Sequence, residues 1–402
     1  DDTDVTVAVS SSDTGEATVG PATLTFTEAN WNTAQTVTVT GVNDNDADGH
    51  QDYDISLSAA GDELDENPLV TTFAGSSQGS TDATGTSAKF YEPNGLTTDG
   101  TNLYVADRYN NKVRKIVIST GAVTTLAGNF NKPIGITTDG ENLYVTDTGN
   151  YLIRKIVIST GEVTNLAGSG QGGSADGTGN AASFNVPAGI TTDGTNLYVA
   201  EYGNHVIRKI VIATGEVTTI AGVAGANGTT DATGPSARFY RPHGITTDGT
   251  NLYVAENGNH KIRKIAISTG VVTTLVGSGF YKPRGITNDG TNLYVVDQNN
   301  NRIQKVVIST GVVTTVAGGS QGDGDGTGTS ASFNKPIGIT NEGTNLYVSD
   351  TNNHRIRKVD LSKKETTDLS LHNLDDDTDV KVALASSNTG EATVNPAELT
   401  FT

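Results

Sequence analysis

The sequence contains no cysteine and no methionine among its 402 residues. Without cysteine it cannot form disulfides, a thiolate zinc site or a cysteine nucleophile. Basic residues are also few, since 26 Lys and Arg against 45 Asp and Glu give a formal net charge of −19. A nucleic-acid-binding surface needs a basic footprint, so this charge disfavours DNA and RNA as partners. No apolar run reaches the roughly 18 residues that a membrane-spanning helix requires.

Glycine, by contrast, occurs 48 times, largely within one phrase that is repeated six times. The phrase contains a Pro-x-Gly start, a turn with glycine, Asn-Leu-Tyr-Val, an acidic residue and a basic segment. Each of the first five copies holds four short β-prone segments, and four-stranded units that recur every 40 to 55 residues are typical of propeller blades. The Asn-Leu-Tyr anchors begin at Asn102, Asn142, Asn196, Asn251, Asn292 and Asn345.

These phrases resemble the repeats of the NHL family, most clearly in the sixth copy. That copy reads Pro336-Ile337-Gly338-Ile339, then Asn-Leu-Tyr-Val-Ser-Asp from 345 and Asn-His-Arg-Ile-Arg-Lys from 353. The resemblance covers about residues 69 to 360 and implies a six-bladed β-propeller, but it does not specify a function. The sixth copy lacks its last strand, and the matching phrase stands at 69–75. We therefore predict that 69–75 closes the ring.

The two ends of the sequence match each other. Residues 1–27 and 376–402 share 21 identities in 27 positions at an offset of 375. These segments alternate apolar and polar residues, as half-buried strands do. The segment around Trp31 resembles the Calx-β-like and Ig-like sandwich modules of large bacterial surface proteins. We predict an all-β chain with an antiparallel sandwich module at 1–67, a propeller at 68–362 and the start of a second sandwich at 363–402.

The 375-residue offset indicates one period of a tandem array. The missing start methionine agrees with an internal or processed segment of a longer protein. From the array we predict an extracellular or cell-surface structural protein, such as a fibre or adhesin, whose partners include neighbouring repeats or other copies of the chain. Strand donation between separate subunits is the alternative to a covalent array. A glycan or protein on a surface is a further candidate partner.

Acidic loops suggest calcium as a cofactor, because this ion prefers six to eight oxygen ligands. The alternating aspartates that follow position 43 resemble such a site, although position 12 of a complete EF-hand loop is occupied by Ile55. A solvated acidic loop is the alternative here, and a plain turn is the alternative in the Gly-rich loop of the last blade. The candidate calcium ligands are Asp44, Asp46, Asp48, Asp52, Asp323 and Asp325.

The loops before each first strand and between strands two and three should lie on one face of the ring. These loops differ among the blades, and they are rich in tyrosine, which offers an apolar ring with a polar tip for sugar or protein contacts. Packing of the loops is the alternative role of these tyrosines. The candidate partner-binding residues are Tyr91, Tyr109, Tyr202, Tyr240, Arg241, His243 and Arg284.

Acids end all six second strands, and arginines follow in five of the third strands. Their presence in every blade favours an architectural role, because one ligand cannot use six equivalent places. The family resemblance also implies an alternative, an enzyme of the lyase or lactonase type with an axial metal. Only His243 and Arg284 are polar and ionisable among the positions after the blade prolines, whereas a catalytic zinc needs three protein ligands. We therefore expect no enzyme and no organic cofactor.

Overall fold

The structure is a computed structural model, and it describes residues 5–11, 17–26, 37–41, 53–60, 67–362, 367–371, 380–383 and 398–401. The chain forms two units, one of residues 1–65 with 363–402 and one of residues 66–362. Trp31 and the predicted calcium ligands Asp44, Asp46, Asp48 and Asp52 lie outside the described residues. No helix in the described ranges has the length and apolar character needed to cross a membrane.

Residues 66–362 form six antiparallel four-stranded blades, which confirms the predicted six-bladed β-propeller. In each blade the four strands follow one another in sequence from the axis outwards, except in the last blade. Blade 1 has strands Pro93–Thr98, Asn102–Asp107, Lys112–Val117 and Val123–Ala127. Blade 2 has Ile136–Thr138, Asn142–Asp147, Leu152–Val157 and Val163–Ala167. Blade 3 has Pro187–Thr192, Asn196–Glu201, Val206–Val211 and Glu216–Ala221.

The second half of the ring repeats this order. Blade 4 has strands Pro242–Thr247, Asn251–Glu256, Lys261–Ala266 and Val272–Val276. Blade 5 has Pro283–Asn288, Asn292–Asp297, Arg302–Val307 and Val313–Gly318. Blade 6 has Ile339–Glu342, Asn345–Asp350 and Arg355–Asp360, and its fourth strand is Leu69–Ala74. The strand absent from the sixth repeat is thus the strand that precedes the first, and the ring has no open edge at this point.

Short elements complete the loops. Gly177–Thr178 pairs with the outer strand of blade 3, Gly326–Thr327 pairs with Leu69–Ala74, and Ser320–Gln321 runs parallel to Ser332–Phe333. The helical elements of the described chain are single 3₁₀ turns of three residues. They are Gly85–Ser87, Arg108–Asn110, Thr148–Asn150, Gly179–Ala181, Gly234–Ser236, Gln298–Asn300, Gly328–Ser330 and Thr351–Asn353.

The repeated phrase forms strands because its turn is held by its own side chains. In blade 1, Gly100 has φ +89° and Asp99 accepts the backbone N–H of Asn102 at 2.7 Å. The Tyr104 hydroxyl donates to the same carboxylate at 2.7 Å, while the Tyr104 ring is fully buried. That ring lies in one hydrophobic cluster with Leu143 of blade 2, and in the first five repeats the tyrosine joins its turn to the core between neighbouring blades.

The other unit is antiparallel β-structure. Val5–Ser11 pairs with Thr23–Phe26 and with Tyr53–Ala60, and Ala17–Gly20 pairs with Thr38–Gly41. The second copy of the first hairpin, Val380–Ala383 with Glu398–Phe401, keeps the same register at the offset of 375.

One strand of this unit comes from the C-terminal flank. Thr367–Leu371 pairs with Tyr53–Ala60, so it extends the sheet of the first flank instead of pairing with the hairpin that follows it in sequence. A strand such as Tyr53–Ala60 has an edge with unpaired backbone groups, and an added strand satisfies them. The sandwich modules and their boundaries stay predictions.

Candidate functional site

One end of the propeller, here called the variable face, is where each first strand begins and each second strand ends. The strand registers show this, since Pro93 lies opposite Asp107 and Pro242 opposite Glu256. The other end carries the repeated turns between strands one and two and between strands three and four, and it is called the turn face. A rigid ring that presents different side chains from each blade suits a binding role.

An unusual backbone conformation precedes every blade proline on the variable face. The six residues have φ between 49° and 58°, the left-handed region that non-glycine residues avoid at a cost of about 1–2 kcal/mol. Such strain persists only where the surrounding structure holds it. The six residues are Glu92, Lys132, Val186, Arg241, Lys282 and Lys335.

A bond from the preceding blade holds five of these six residues. In blade 3, His205 follows the acidic strand end, and its Nδ1 accepts the backbone N–H of Arg241 in blade 4 at 3.2 Å. We call this contact the inter-blade bond. It gives the three rim histidines a structural role that sequence analysis missed. It recurs between His260 and Lys282 at 2.9 Å, His354 and Glu92 at 3.2 Å, Asn111 and Lys132 at 2.9 Å, and Asn301 and Lys335 at 2.9 Å.

The acids at the ends of the second strands are fully engaged. In blade 3, Glu201 is buried, pairs with Arg208 at 3.2 Å and accepts the Asn204 side-chain amide at 2.7 Å. In blade 1, Asp107 accepts the backbone N–H of Tyr91 at 2.8 Å in addition to its arginine. Burial is the largest influence on the pKa of Glu201 and raises it, while the attraction of Arg208 opposes the shift. These acids therefore have a structural role within the blades.

The Gly-rich loops are anchored by the same arginines. Arg208 also binds Asp176 at 2.8 Å, and Asp176 accepts the backbone N–H of Thr219 at 3.0 Å. Asp325 occupies the equivalent place, with Arg357 at 2.8 Å and Thr72 at 3.0 Å.

The second predicted calcium ligand of this loop is also paired with an arginine. Asp323 binds Arg355 at 3.1 Å and is 63% exposed. Groups of three or more metal-ligating side chains do not occur within the described ranges. Calcium at Asp323 and Asp325 stays a prediction, and the structure gives Asp325 the loop-anchoring role that Asp176 has in blade 3.

The candidate tyrosines lie in two clusters on the variable face. The first joins Tyr91 and Tyr109, whose ring centroids are 5.0 Å apart. In the second, the Arg241 guanidinium lies 5.4 Å from the Tyr202 ring centre and 5.2 Å from that of Tyr240. All four tyrosines are half-buried and Arg241 is exposed, so rings and charge are both accessible to a partner.

At the centre of the variable face, His243 and Arg284 contact each other. Arg284 Nη1 lies 2.9 Å from His243 Nε2, and Arg284 Nε donates to Gln298 Oε1 at 2.8 Å. Because arginine can only donate, Nε2 of His243 accepts and the ring proton resides on Nδ1. Burial, with repulsion from Arg284 and then Arg108, lowers the pKa of His243 well below 6.5, so the ring is neutral.

A cavity of about 80 Å³ lies on the propeller axis. Its wall consists of Asn94 and His243, one glycine from each blade and eight aliphatic side chains, among them Ile134 and Ile337. A Cβ on Gly244 would lie 1.9 Å from the carbonyl oxygen of Arg284, so this inner wall requires glycine. Within the described part of the chain, the buried atoms Asn94 Oδ1 and His243 Nδ1 have no hydrogen-bond partner.

The structure thus links five candidate residues in a chain of contacts: Arg241 lies by Tyr240 and Tyr202, the Tyr202 ring lies 6.2 Å from the His243 ring, and His243 contacts Arg284. Tyr91 and Tyr109 form the separate pair. Sequence analysis missed two further polar groups at the axis, Gln298 and Arg108, although a signal was present. Both follow the acid of a second strand directly, and this position differs in every blade except 2 and 6: Arg108, Thr148, Tyr202, Asn257, Gln298 and Thr351.

Comparison with known proteins gives relatives for the repeats and neighbours for the fold. No family model matches the sequence. NHL repeat-containing protein 2 from Homo sapiens is 28% identical over 196 residues, which cover 47% of this chain and 22% of the relative. The chain from Bos taurus described by the same words is also 28% identical and is covered to 22%. The sequence therefore spans less than a quarter of the curated relatives it matches.

Two solved structures from Bacteroides thetaiotaomicron share the fold. The first, a structural genomics protein of unknown function, has a TM-score of 0.58 at 21% identity and covers 88% of this chain and 90% of its own. The second, an auxiliary nutrient binding protein, has a TM-score of 0.57 at 20% identity and covers 76% and 82%. The NHL-repeat relatives and the six-bladed ring together support an NHL-type β-propeller in this chain.

Proposed function

We propose that this chain is a non-enzymatic binding and structural segment of an extracellular or cell-surface protein, and that the variable face of its propeller holds the partner. One observation carries the proposal. The half-buried rings of Tyr202 and Tyr240 and the exposed Arg241 form one cluster, held on a frame whose ionisable strand ends are already paired. Aromatic and arginine side chains of this kind dominate binding energies at protein surfaces.

The axial residues support binding over the lyase or lactonase alternative. Beside His243, the positions after the blade prolines hold Asn94 and Arg284 and three aliphatic residues. Arginine is always charged and does not ligate metals, so this set offers a single imidazole where a catalytic zinc wants three ligands. The auxiliary nutrient binding protein among the structural neighbours is described as a binder, which agrees with the proposal by analogy of fold alone.

Defined glycans printed on an array test the binding role. We expect the chain to bind at least one glycan, and the variant Tyr91→Ser, Tyr109→Ser, Tyr240→Ser, Arg241→Ser to lose about tenfold or more in affinity, since each anchor contributes about 1 kcal/mol or more. A matched variant on the turn face replaces the exposed Glu141, Glu162 and Glu216 by serine and should bind as the parent does. Equal losses in both variants would reject the variable face as the binding surface.

The array role rests on the 375-residue offset and on the hairpin register that the two flanks share. Either covalent tandem repeats or strand exchange between copies would bring neighbouring propellers into a line. Electron micrographs of the native material should show filaments with a repeating bead. Isolated particles with catalytic turnover would overturn this part of the proposal.

A further inference from the structure

Charge is sorted between the two faces of the propeller. Four of the six residues that precede the blade prolines on the variable face are basic: Lys132, Arg241, Lys282 and Lys335. The turn face instead carries the acids of the first hairpins: Asp99, Asp139, Asp193, Asp248, Asp289 and Glu342. In a chain with net charge −19, the variable face carries these cations beside partly exposed acids, which include Glu92, Asp323 and the arginine-paired loop residues Asp82, Asp176, Asp231 and Asp325. These cations attract an anionic partner.

The centre of this face holds a guanidinium without a counter-charge. Within the described ranges, no carboxylate lies within 4.0 Å of the Arg284 nitrogens, since its bonds go to the neutral groups His243 and Gln298. Arg108 lies near enough to oppose the charge of Arg284, and Glu92 reaches Arg108 only at 3.6 Å. Burial is the main cause that lowers the pKa of Arg284 to about 10, the interaction with Tyr202 opposes the shift, and repulsion from Arg108 adds to it. An anion bound next to Arg284 would offset both the burial of its charge and the repulsion from Arg108.

Two buried polar atoms of residues that line the axial cavity lack hydrogen-bond partners within the described residues, and they need partners of opposite kinds. His243 Nδ1 carries the ring proton and requires an acceptor, whereas Asn94 Oδ1 requires a donor. The axial cavity that both residues line, about 80 Å³, has room for two or three groups of the size of water, at about 30 Å³ each. A carboxylate and a neighbouring hydroxyl match these sizes and supply both an acceptor and a donor.

We propose that the axial cavity lined by His243 and Asn94, with Arg284 bonded to His243 and Arg108 nearby, binds the carboxylate and an adjacent hydroxyl of an acidic sugar. The proposal rests on the variable face being the binding surface and adds the chemical class of its ligand. The guanidinium groups bind the carboxylate. The two tyrosine clusters on the same face contact the neighbouring sugar rings of the ligand. An acidic peptide would supply the carboxylate but no adjacent hydroxyl.

Calorimetric titration with oligogalacturonate tests this, with its methyl ester and oligoglutamate as the other two probes. We expect oligogalacturonate to bind, and both other probes to bind about tenfold or more weakly, because charge-assisted bidentate bonds require the free carboxylate. Arg284→Gln should weaken oligogalacturonate binding about tenfold. Lys305→Gln, which removes the same charge within a third strand, should leave it within about twofold of the parent, as expected for a remote charge in salt.

The outcomes separate the two proposals. Equal binding of acid and ester, or tighter binding of oligoglutamate, would overturn the acidic-sugar assignment. Binding of neutral glycans through the tyrosines without any binding of oligogalacturonate would also overturn it, while the variable face would stand as the partner surface. If Arg284→Gln shifts the thermal unfolding transition, the variant Arg108→Gln is used in its place. Unchanged affinity for oligogalacturonate in a folded variant of either arginine rejects the site.

Discussion

His205 Nδ1 accepts a hydrogen bond from the backbone N–H of Arg241 at 3.2 Å, across the boundary between blades 3 and 4. Only the neutral imidazole can accept there, because a protonated ring carries hydrogen on both nitrogens. Equivalent bonds from His260 and His354 place three such contacts around the ring. In two other blades asparagine makes the same bond and cannot titrate.

We predict that the inter-blade bonds make stability fall in mild acid. Burial, followed by repulsion from Arg241, lowers the pKa of His205 below 6.5, against a smaller effect of a bond with the backbone of Tyr202. Burial also lowers the pKa of His354, against the attraction of Glu92 and Asp107. A lowered folded-state pKa means that the contribution is complete above about pH 6.5 and is lost as pH falls through the folded-state value.

The variant His205→Asn, His260→Asn, His354→Asn provides the matched control. It keeps an acceptor at each boundary, so its unfolding free energy should lose less than that of the parent between pH 7 and 5, by about 1 kcal/mol per replaced histidine. Urea titrations at both pH values measure the difference, and the carboxylates common to both proteins cancel. Identical pH profiles would contradict the role of these three histidines.

The repeats made most of the propeller predictable, because the phrase fixes strand, turn and core in each copy. Asp99 with Asn102 and Tyr104 is a local arrangement within five residues, so a single sequence exposes it. The inter-blade bonds were not predictable, since each joins residues of two blades, from 21 positions apart for Asn111 and Lys132 to 262 for His354 and Glu92. Their meeting follows from how neighbouring blades pack, which no short motif encodes.

The candidate site was predictable only in part for the same reason. His243 and Arg284 could be identified as candidates from the sequence because they break the pattern that follows the blade prolines. Gln298 and Arg108 also break a pattern, at the position directly after the second-strand acid. What sequence could not give is that these two sets of positions meet at one axis, because that depends on how six separate blades converge.

The arginines of the third strands should contribute different amounts to the free energy of unfolding, depending on the loop that each one anchors. Arg208 bonds to Glu201, to Asp176 and to the carbonyl oxygens of Ser183 and Ala175. We predict that Arg208→Gln lowers the unfolding free energy by about 3–5 kcal/mol, since it leaves a buried carboxylate without its partner.

The equivalent arginine of blade 2 is the matched comparison. Arg154 pairs with Asp147 at 3.0 Å and is 15% exposed, and a short loop without an aspartate precedes its blade. Arg154→Gln should cost about 1–3 kcal/mol less than Arg208→Gln, which corresponds to the loop bonds that it lacks. Denaturant titration of both variants measures the difference, and equal costs would show that the loop aspartates add nothing.

Blade 2 also lacks an inter-blade bond, and this suggests a stabilising change. Tyr151 occupies the position of His205 with φ 56°, but no bond links it to Val186 in blade 3. Tyr151→Asn should raise the unfolding free energy by about 1 kcal/mol, because asparagine tolerates this backbone conformation and its Oδ1 can accept the Val186 N–H. Asn111→Tyr makes the reverse exchange in blade 1 and should destabilise the protein. A loss of stability in Tyr151→Asn would contradict this account.

Ring closure depends on Leu69–Ala74, and Val70 is its test residue. Val70 is fully buried and lies opposite Val359 of blade 6. Val70→Asp buries a carboxylate without a partner, which should cost several kcal/mol and open the last blade. Thr71→Asp is the matched control, because Thr71 is half-buried and lies opposite Lys358, a favourable cross-strand pair. Hydrogen exchange should show early loss of protection in Arg355–Asp360 for Val70→Asp alone. If both variants exchange as the parent does, closure by this strand does not hold the ring together.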